Sequence, residues 1–232
     1  MRLFEIEKTI ITPEDEKYYK QLAKTYLLPW SNATVANFEF VKKVKQDCQP
    51  YLQEAGSSVF SGNGIWRGIN ESDPRLRKTA RLENREPAGT PLIVHKYVNE
   101  YLNKKFGHPF RNGVFVTGER GQYGTYGVPY QIFPIGKFEY LWSDKVKDLL
   151  FTLRDFERDN DFDSPENYSY EKELKPKLVK FTRKLRGYKK TDLPAAAFSG
   201  NEIMIWCKQY YALHRSIARN EKFADAAANI IR

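Results

Sequence analysis

An arginine stands inside a short apolar segment, Ile65-Trp66-Arg67-Gly68-Ile69. Burying a charged side chain without a partner is costly, so a guanidinium on such a strand must meet an anion. A carboxylate of the same chain would make Arg67 structural. A phosphate or ribose held by the planar guanidinium fork would make it functional. The neighbouring Gly68 leaves room for a close approach to the backbone.

A small hydroxyl residue ends a second apolar segment, Gly113-Val114-Phe115-Val116-Thr117-Gly118. A buried strand that ends in Thr117 and Gly118 places a hydroxyl group and unobstructed backbone at the edge of a cleft. Tyr123 and Tyr126 follow in ERGQYGTYG. Either ring could stack on a ligand or pack as an ordinary aromatic contact of the core.

A single carboxylate opens a late strand in Ser199-Gly200-Asn201-Glu202-Ile203-Met204-Ile205. Glu202 follows a flexible Ser-Gly approach and precedes an apolar run, and QYYAL follows as a second strand. The carboxylate could be a solvated group at the start of a strand. It could also be a fixed negative charge at a site where positive charge develops during a reaction.

In this order the three segments resemble the Arg…Ser/Thr…Glu branch of the ADP-ribosyltransferase superfamily, over about residues 65–213. The resemblance implies an α+β fold in which a split pair of small, mainly antiparallel β-sheets binds NAD in the cleft between them. It implies catalytic roles for Glu202, Arg67 and Thr117. It implies NAD-binding roles for Arg67, Gly68, Thr117, Gly118 and Tyr126.

The reaction implied by this resemblance moves ADP-ribose from NAD to a macromolecular acceptor and releases nicotinamide. Breaking the nicotinamide–ribose bond develops oxocarbenium character, as glycoside hydrolysis does. A fixed carboxylate at Glu202 would stabilise that charge, while Arg67 would hold the diphosphate side. Gly200 stands where arginine-modifying members carry Glu or Gln, which disfavours arginine as the acceptor. Protein, DNA and RNA acceptors stay open.

The elements that must position these residues are helices first and strands afterwards. Capping and spacing predict helices at 13–28, 32 to about 54, 91–105, 144–157 and near the C-terminus. Strands are predicted around Arg67 and at 113–118, 128–143 and 202–213. This order favours an α+β protein over alternating βαβ units. We expect a single domain over 1–232, with a helical part at 1–56, a candidate catalytic core at 57–213, a basic insertion at about 155–195 and a C-terminal helix at 214–232.

The net charge of +9 is unevenly distributed, since residues 171–190 hold nine Lys and Arg against two Glu. A second basic cluster lies at 75–85. Basic runs interleaved with aromatic residues such as Phe181 and Tyr188 suit phosphate contacts and base stacking. They give a competing prediction, a non-enzymatic nucleic-acid-binding or assembly protein. The same runs could also be solvated helix faces, and a transferase that modifies nucleic acid would combine both functions.

Composition and motif content limit the classes of protein to which the chain could belong. Hydrophobic residues make up 41% and aromatic residues 15% of the chain, which predicts a folded protein. Two cysteines make no disulfide framework and favour a reducing, cytoplasmic setting. The sequence shows neither a signal peptide nor an apolar run of roughly 18 residues, so no membrane partner is expected. Cysteine and histidine spacings predict no metal site, and the P-loop, Rossmann, zinc-protease and serine-hydrolase motifs are absent.

Overall fold

The structure is a computed structural model of the chain. It describes residues 11–56, 59–60, 64–80, 82–83, 85–87, 89–118, 127–159 and 170–232. Three helices open the described chain: α1 (Pro13–Thr25), α2 (Asn32–Asp47) and α3 (Gln49–Ala55). Thr12 and Ser31 cap α1 and α2, each through a side-chain oxygen that accepts a backbone N–H. The sequence predicts Thr12 as the first cap and offers Ser31 or Asn32 for the second, and the structure selects Ser31.

The predicted second helix is interrupted in the structure. It ends at Asp47 and restarts at Gln49 as α3, with Cys48 between the two. Pro50 lies in the first turn of α3 and explains the break. Proline has no backbone N–H, and its ring clashes with the carbonyl four residues earlier, so it begins a helix more readily than it continues one.

Eight strands and six further α-helices follow in the described chain, with short turns and loops between them. The strands are β1 (Trp66–Ile69), β2 (Arg75–Thr79), β3 (Val114–Thr117), β4 (Val128–Pro134), β5 (Phe138–Ser143), β6 (Tyr188–Lys189), β7 (Glu202–Cys207) and β8 (Gln209–His214). The helices are α4 (Leu92–Phe106), α5 (Leu149–Arg158), α6 (Lys175–Thr182), α7 (Leu193–Ser199), α8 (Arg215–Ala218) and α9 (Glu221–Ile231). The strands form one antiparallel sheet, in the order β2-β8-β4-β1-β3-β7-β5-β6. The predicted α+β class is confirmed.

The centre of this sheet is its weakest junction. β1 pairs with β3 only through Trp66 and Thr117. β1 pairs with β4 over four residues, and β3 pairs with β7 over four. The sheet therefore consists of two four-stranded halves joined at one residue pair. The sequence predicts two separate sheets, and the structure differs from that prediction because this pair connects them.

The half that contains β7 is covered on both faces. Ile203 and Ile205 lie in a core that includes side chains of α2, α3, α7 and α9. Met204, on the opposite face, lies in a second core with side chains of α4, α5 and α6. This is the period-two alternation of a strand buried on both sides. The predicted basic insertion therefore contributes apolar side chains to a core through α5 and α6.

Both cysteines are free thiols within the first core, and burial raises the pKa of each above its usual range. A thiol held in its protonated form is a poor nucleophile. Within the ranges that the structure describes, no helix is both long and apolar enough to cross a membrane.

Candidate functional site

A cavity of about 300 Å³ opens at the junction between the two halves of the sheet. It is lined by Arg67, Gly68, Arg85, Pro87, His95, Arg111, Phe115, Val116, Thr117, Lys147, Asp148, Leu150 and Glu202. Four of the six residues to which the resemblance gives roles therefore lie around one cavity. They are Arg67, Gly68, Thr117 and Glu202.

The register of the central strands explains why residues so distant in sequence meet. Thr117 pairs with Trp66 on one side and with Glu202 on the other. Arg67 follows Trp66 directly on β1. The end of β3 thus lies between a guanidinium on β1 and a carboxyl on β7, although Arg67 stands 50 positions before Thr117 and Glu202 stands 85 positions after it.

The hydroxyl of Thr117 acts on the segment that carries Glu202. Its Oγ1 donates a hydrogen bond of 2.7 Å to the carbonyl oxygen of Gly200. Gly200 ends α7 in the left-handed conformation, with φ at +70°, where glycine has no steric penalty. The bond therefore fixes the turn between α7 and β7, two residues before the carboxyl group.

Gly118 has a packing role next to the cavity. A Cβ at this position would lie 1.6 Å from the backbone carbonyl oxygen of Ala197 in α7. The end of β3 and α7 can approach this closely only because residue 118 has no side chain. Tyr126 and Tyr123, predicted as possible stacking residues, lie outside the described residues.

The carboxyl group of Glu202 sits at the start of α5. Its Oε1 accepts a long hydrogen bond of 3.4 Å from the backbone N–H of Leu149, and its own backbone N–H donates to the carbonyl of Lys147 at 2.8 Å. Asp148 caps the same helix, accepting the N–H of Leu150 at 2.7 Å. Burial first, and the nearby Asp148 second, raise the pKa of Glu202 to about 8, although Arg111 and Arg85 oppose the rise. At neutral pH this environment favours the protonated carboxyl.

Arg67 enters the cavity from β1. Its Nη1 donates to the carbonyl oxygen of Phe115 at 3.4 Å, and the side chain is partly buried. Among the described residues, no carboxylate oxygen lies within 4 Å of its guanidinium. A structural Arg–carboxylate pair, one of the two alternatives for this residue, is therefore not present in the described part of the chain.

Three further cavity residues were not predicted as site residues: Arg85, His95 and Arg111. Arg111 precedes β3, and its Nε donates to His95 Nδ1 at 3.3 Å. Burial, reinforced by Arg111, lowers the pKa of His95 to about 4 and keeps the imidazole neutral. Arg85 donates to the carbonyl of Gly113 and lies 4.5 Å from the centre of the Phe115 ring. The position of Arg111 two residues before the apolar run 113–118 is the one sequence signal that could have identified it.

The two basic segments differ in exposure. In 75–85, Lys78 is buried and paired with Glu71, Arg77 bonds to Gln209, and Arg85 lines the cavity. In 171–190 the exposed basic side chains include Lys180, Arg183, Lys184 and Arg186.

The expectation that Phe181 and Tyr188 are available for base stacking is wrong. Phe181 is 1% exposed and Tyr188 is 5% exposed, and both belong to the second core. Their spacing between basic residues is that of apolar side chains on the buried face of an amphipathic segment. Among the described residues, no group of three or more His, Cys, Asp or Glu side chains is arranged to hold a metal ion.

No family model, no curated protein and no solved structure matches the chain.

Proposed function

We propose that the chain is a NAD-dependent ADP-ribosyltransferase, which moves ADP-ribose from NAD to a macromolecular acceptor and releases nicotinamide. The observation that carries this proposal is the convergence of Arg67, Thr117 and Glu202 on one cavity. The likeness of these motifs to the Arg…Ser/Thr…Glu branch supports the choice of NAD as substrate.

Each of the three residues has a distinct part in the proposed reaction. The nicotinamide–ribose bond breaks with its electron pair leaving on the nicotinamide nitrogen, and the ribose carbon gains oxocarbenium character. The carboxylate of Glu202 stabilises that positive charge, which in turn favours ionisation of a carboxyl whose pKa is raised. Arg67 binds the phosphate side of the dinucleotide through its guanidinium. Thr117 holds the backbone that carries Glu202.

The experiment that tests this function compares a variant of the Glu202 carboxyl with a variant of the Arg67 guanidinium. Glu202→Gln keeps the shape of the side chain and removes its charge, so we expect nicotinamide release to fall about 10²–10³-fold with NAD affinity nearly unchanged. Arg67→Ala removes a contact made in the ground state as well, so NAD affinity and turnover should both fall. Nicotinamide release with labelled NAD and mixed protein, DNA and RNA acceptors gives turnover, and calorimetry gives the affinity.

Exposed Glu100→Gln and Arg215→Ala serve as matched controls for the two substitutions, since Glu100 and Arg215 lie outside the cavity lining and outside the segment 171–190. Turnover in Glu202→Gln equal to that of the wild type would exclude the catalytic assignment. Loss of turnover in either control would show that the effect is not specific to the cavity.

The second candidate function is binding of nucleic acid through the segment 171–190. The observation that favours it is the exposed set Lys180, Arg183, Lys184 and Arg186 beside a buried apolar stripe. Phosphate contacts from such a face give sequence-independent affinity. The two functions are compatible if nucleic acid is the acceptor.

A further inference from the structure

Arg111 is a buried cation whose guanidinium lacks part of its hydrogen bonding. The residue is 5% exposed, and it lines the cavity from the short turn Phe110–Asn112. Its Nε donates to His95, and its Nη2 donates to Thr90 Oγ1 at 3.3 Å. Its Nη1 is buried and has no hydrogen-bond partner among the described residues. A buried, unpaired charged donor is costly, so this group is suited to receive an acceptor from outside the chain.

A second guanidinium is held beside it. Arg85 lines the same cavity, fixed by its bond to the carbonyl of Gly113 and by its position over the Phe115 ring. Burial, followed by the like charges of Arg67 and Arg111, lowers the pKa of Arg85 to about 10. Arg85 therefore remains charged at neutral pH, and the cavity gathers three guanidiniums that repel one another.

The two acidic residues of the cavity lining, Asp148 and Glu202, and the nearby Glu157 form no ion pair with these cations. No carboxylate oxygen of the described residues lies within 4 Å of Arg85 or Arg111. Asp148 is engaged as the cap of α5, and burial raises the pKa of both Glu202 and Glu157. His95 is neutral and accepts from Arg111, so it holds the guanidinium without adding charge.

We propose that Arg85 and Arg111 form a phosphate-binding subsite of the cavity, separate from Arg67, with Arg111 Nη1 as its buried donor. Guanidinium groups match phosphate oxygens in geometry, and two of them balance a phosphate dianion. The subsite concerns what the cavity binds and goes beyond the proposed transfer reaction, so either can hold without the other.

Inorganic phosphate is the probe for this subsite. Its binding to the full chain is measured by calorimetry at low ionic strength, where charge interactions are least screened. We expect Arg111→Met and Arg85→Met each to weaken phosphate binding about 10- to 100-fold, as loss of a charge-assisted contact does. Arg215→Met removes the same charge from an exposed position outside both the cavity lining and the segment 171–190, and should change the affinity by less than about threefold.

Folding of each variant is checked by circular dichroism and thermal unfolding. If Arg111→Met does not fold, Arg85→Met and Arg111→Lys decide: Lys keeps the charge but loses the planar fork, so binding should fall less than in Arg85→Met. Absence of phosphate binding in the wild type would overturn the proposal. So would wild-type affinity in Arg85→Met and in a folded Arg111 variant, because neither guanidinium would then contact the bound phosphate.

Two sources can supply the phosphate, and a competition experiment distinguishes them. If it belongs to the dinucleotide, ADP-ribose and inorganic phosphate will compete. If it belongs to the other substrate, both will bind at the same time. Either result supports the subsite and identifies its carrier. Glu202→Gln should keep phosphate affinity while nicotinamide release falls, so failure of the proposed function is distinguishable from failure of the subsite.

Discussion

Folding disfavours the ionised form of the Glu202 carboxyl, which is the form that the proposed reaction uses. Its carboxyl is placed beside Asp148 in a protein-surrounded position, and the pKa rises to about 8. Ionisation there is unfavourable until a cation or a developing positive charge comes close. In the proposed reaction, the positive charge that develops on the ribose would make ionisation of this carboxyl favourable, and the carboxylate would in turn stabilise that charge.

The stability of the protein should therefore depend on pH through Glu202. Since its pKa is raised on folding, the folded chain holds a proton that the unfolded chain has lost between about pH 4.5 and pH 8. Stability should fall over that interval by up to a few kcal/mol and then level off. Glu202→Gln removes this dependence, so it should be more stable than the wild type at pH 8 and similar at pH 4.5.

Urea unfolding between pH 4.5 and pH 9 measures this difference. Glu100→Gln, an exposed site on α4, controls for the loss of a surface carboxylate. A difference between wild type and Glu202→Gln that stays constant with pH would contradict the raised pKa.

Thr117 is expected to affect the reaction through geometry rather than contact. Thr117→Val keeps the size of the side chain but removes the bond to the carbonyl of Gly200. The turn that carries Glu202 should then shift, and turnover should fall about 10- to 100-fold, because small displacements of a reacting group are costly. Thr117→Ser keeps the hydroxyl and should restore most of the activity. Equal turnover in the Val and Ser variants would exclude this positioning role.

At the scale of elements, the contact between β3 and α7 determines the shape of the site. Gly118→Ala would force a methyl group against the backbone of Ala197, and neither backbone can move without disturbing β3 or the turn before Glu202. We expect a loss of about 1–3 kcal/mol or more in the free energy of unfolding. Gly187→Ala is the matched control, since its Cβ would meet its nearest neighbour at an ordinary 3.5 Å. Chemical denaturation should separate the two variants, and equal stability would show that β3 and α7 can move apart freely.

The sequence correctly predicts those features of an element that depend on adjacent residues. The cap at Thr12 was correctly predicted, and the cap of α2 was narrowed to Ser31 or Asn32, because capping depends on a few adjacent residues. β2 was not predicted, because Arg75-Leu76-Arg77-Lys78-Thr79 looks like a charge cluster. Lys78 is buried there only because Glu71 pairs with it, and that partner is not recognisable from the strand alone.

The residues of the candidate site were also predicted where a short sequence pattern identifies them and missed where tertiary contacts place them. Arg67, Thr117 and Glu202 were predicted to share a site because each stands at an apolar strand with a glycine within two residues, and because their order resembles the Arg…Ser/Thr…Glu branch. Arg85 and Arg111 were missed because their burial depends on tertiary contacts with Phe115 and His95. The single pairing between β1 and β3 was also missed, since register between distant strands is not encoded in local spacing.

On the scale of the whole molecule, the segment 171–190 keeps its charges at the surface through the spacing of its apolar residues. Within 171–190, Leu178, Phe181 and Leu185 are buried in the second core. The basic residues between them consequently project to solvent. An exposed surface of one sign attracts polyanions at low ionic strength without any specific base contact.

Nucleic-acid binding by this face should depend strongly on salt. Replacing Lys180, Arg183, Lys184 and Arg186 with Ala removes up to four phosphate contacts, so the slope of log K against log[salt] for duplex DNA should become shallower by up to about 3.6. The control variant removes four exposed lysines from α1 and α4, namely Lys17, Lys24, Lys104 and Lys105. It has the same net charge as the first variant, so any difference between them reports the position of the charge rather than its total. Fluorescence anisotropy with a labelled duplex across a salt series measures both slopes. Identical slopes for the two variants, or no binding by the wild type at low salt, would identify 171–190 as a solvated face without affinity for nucleic acid.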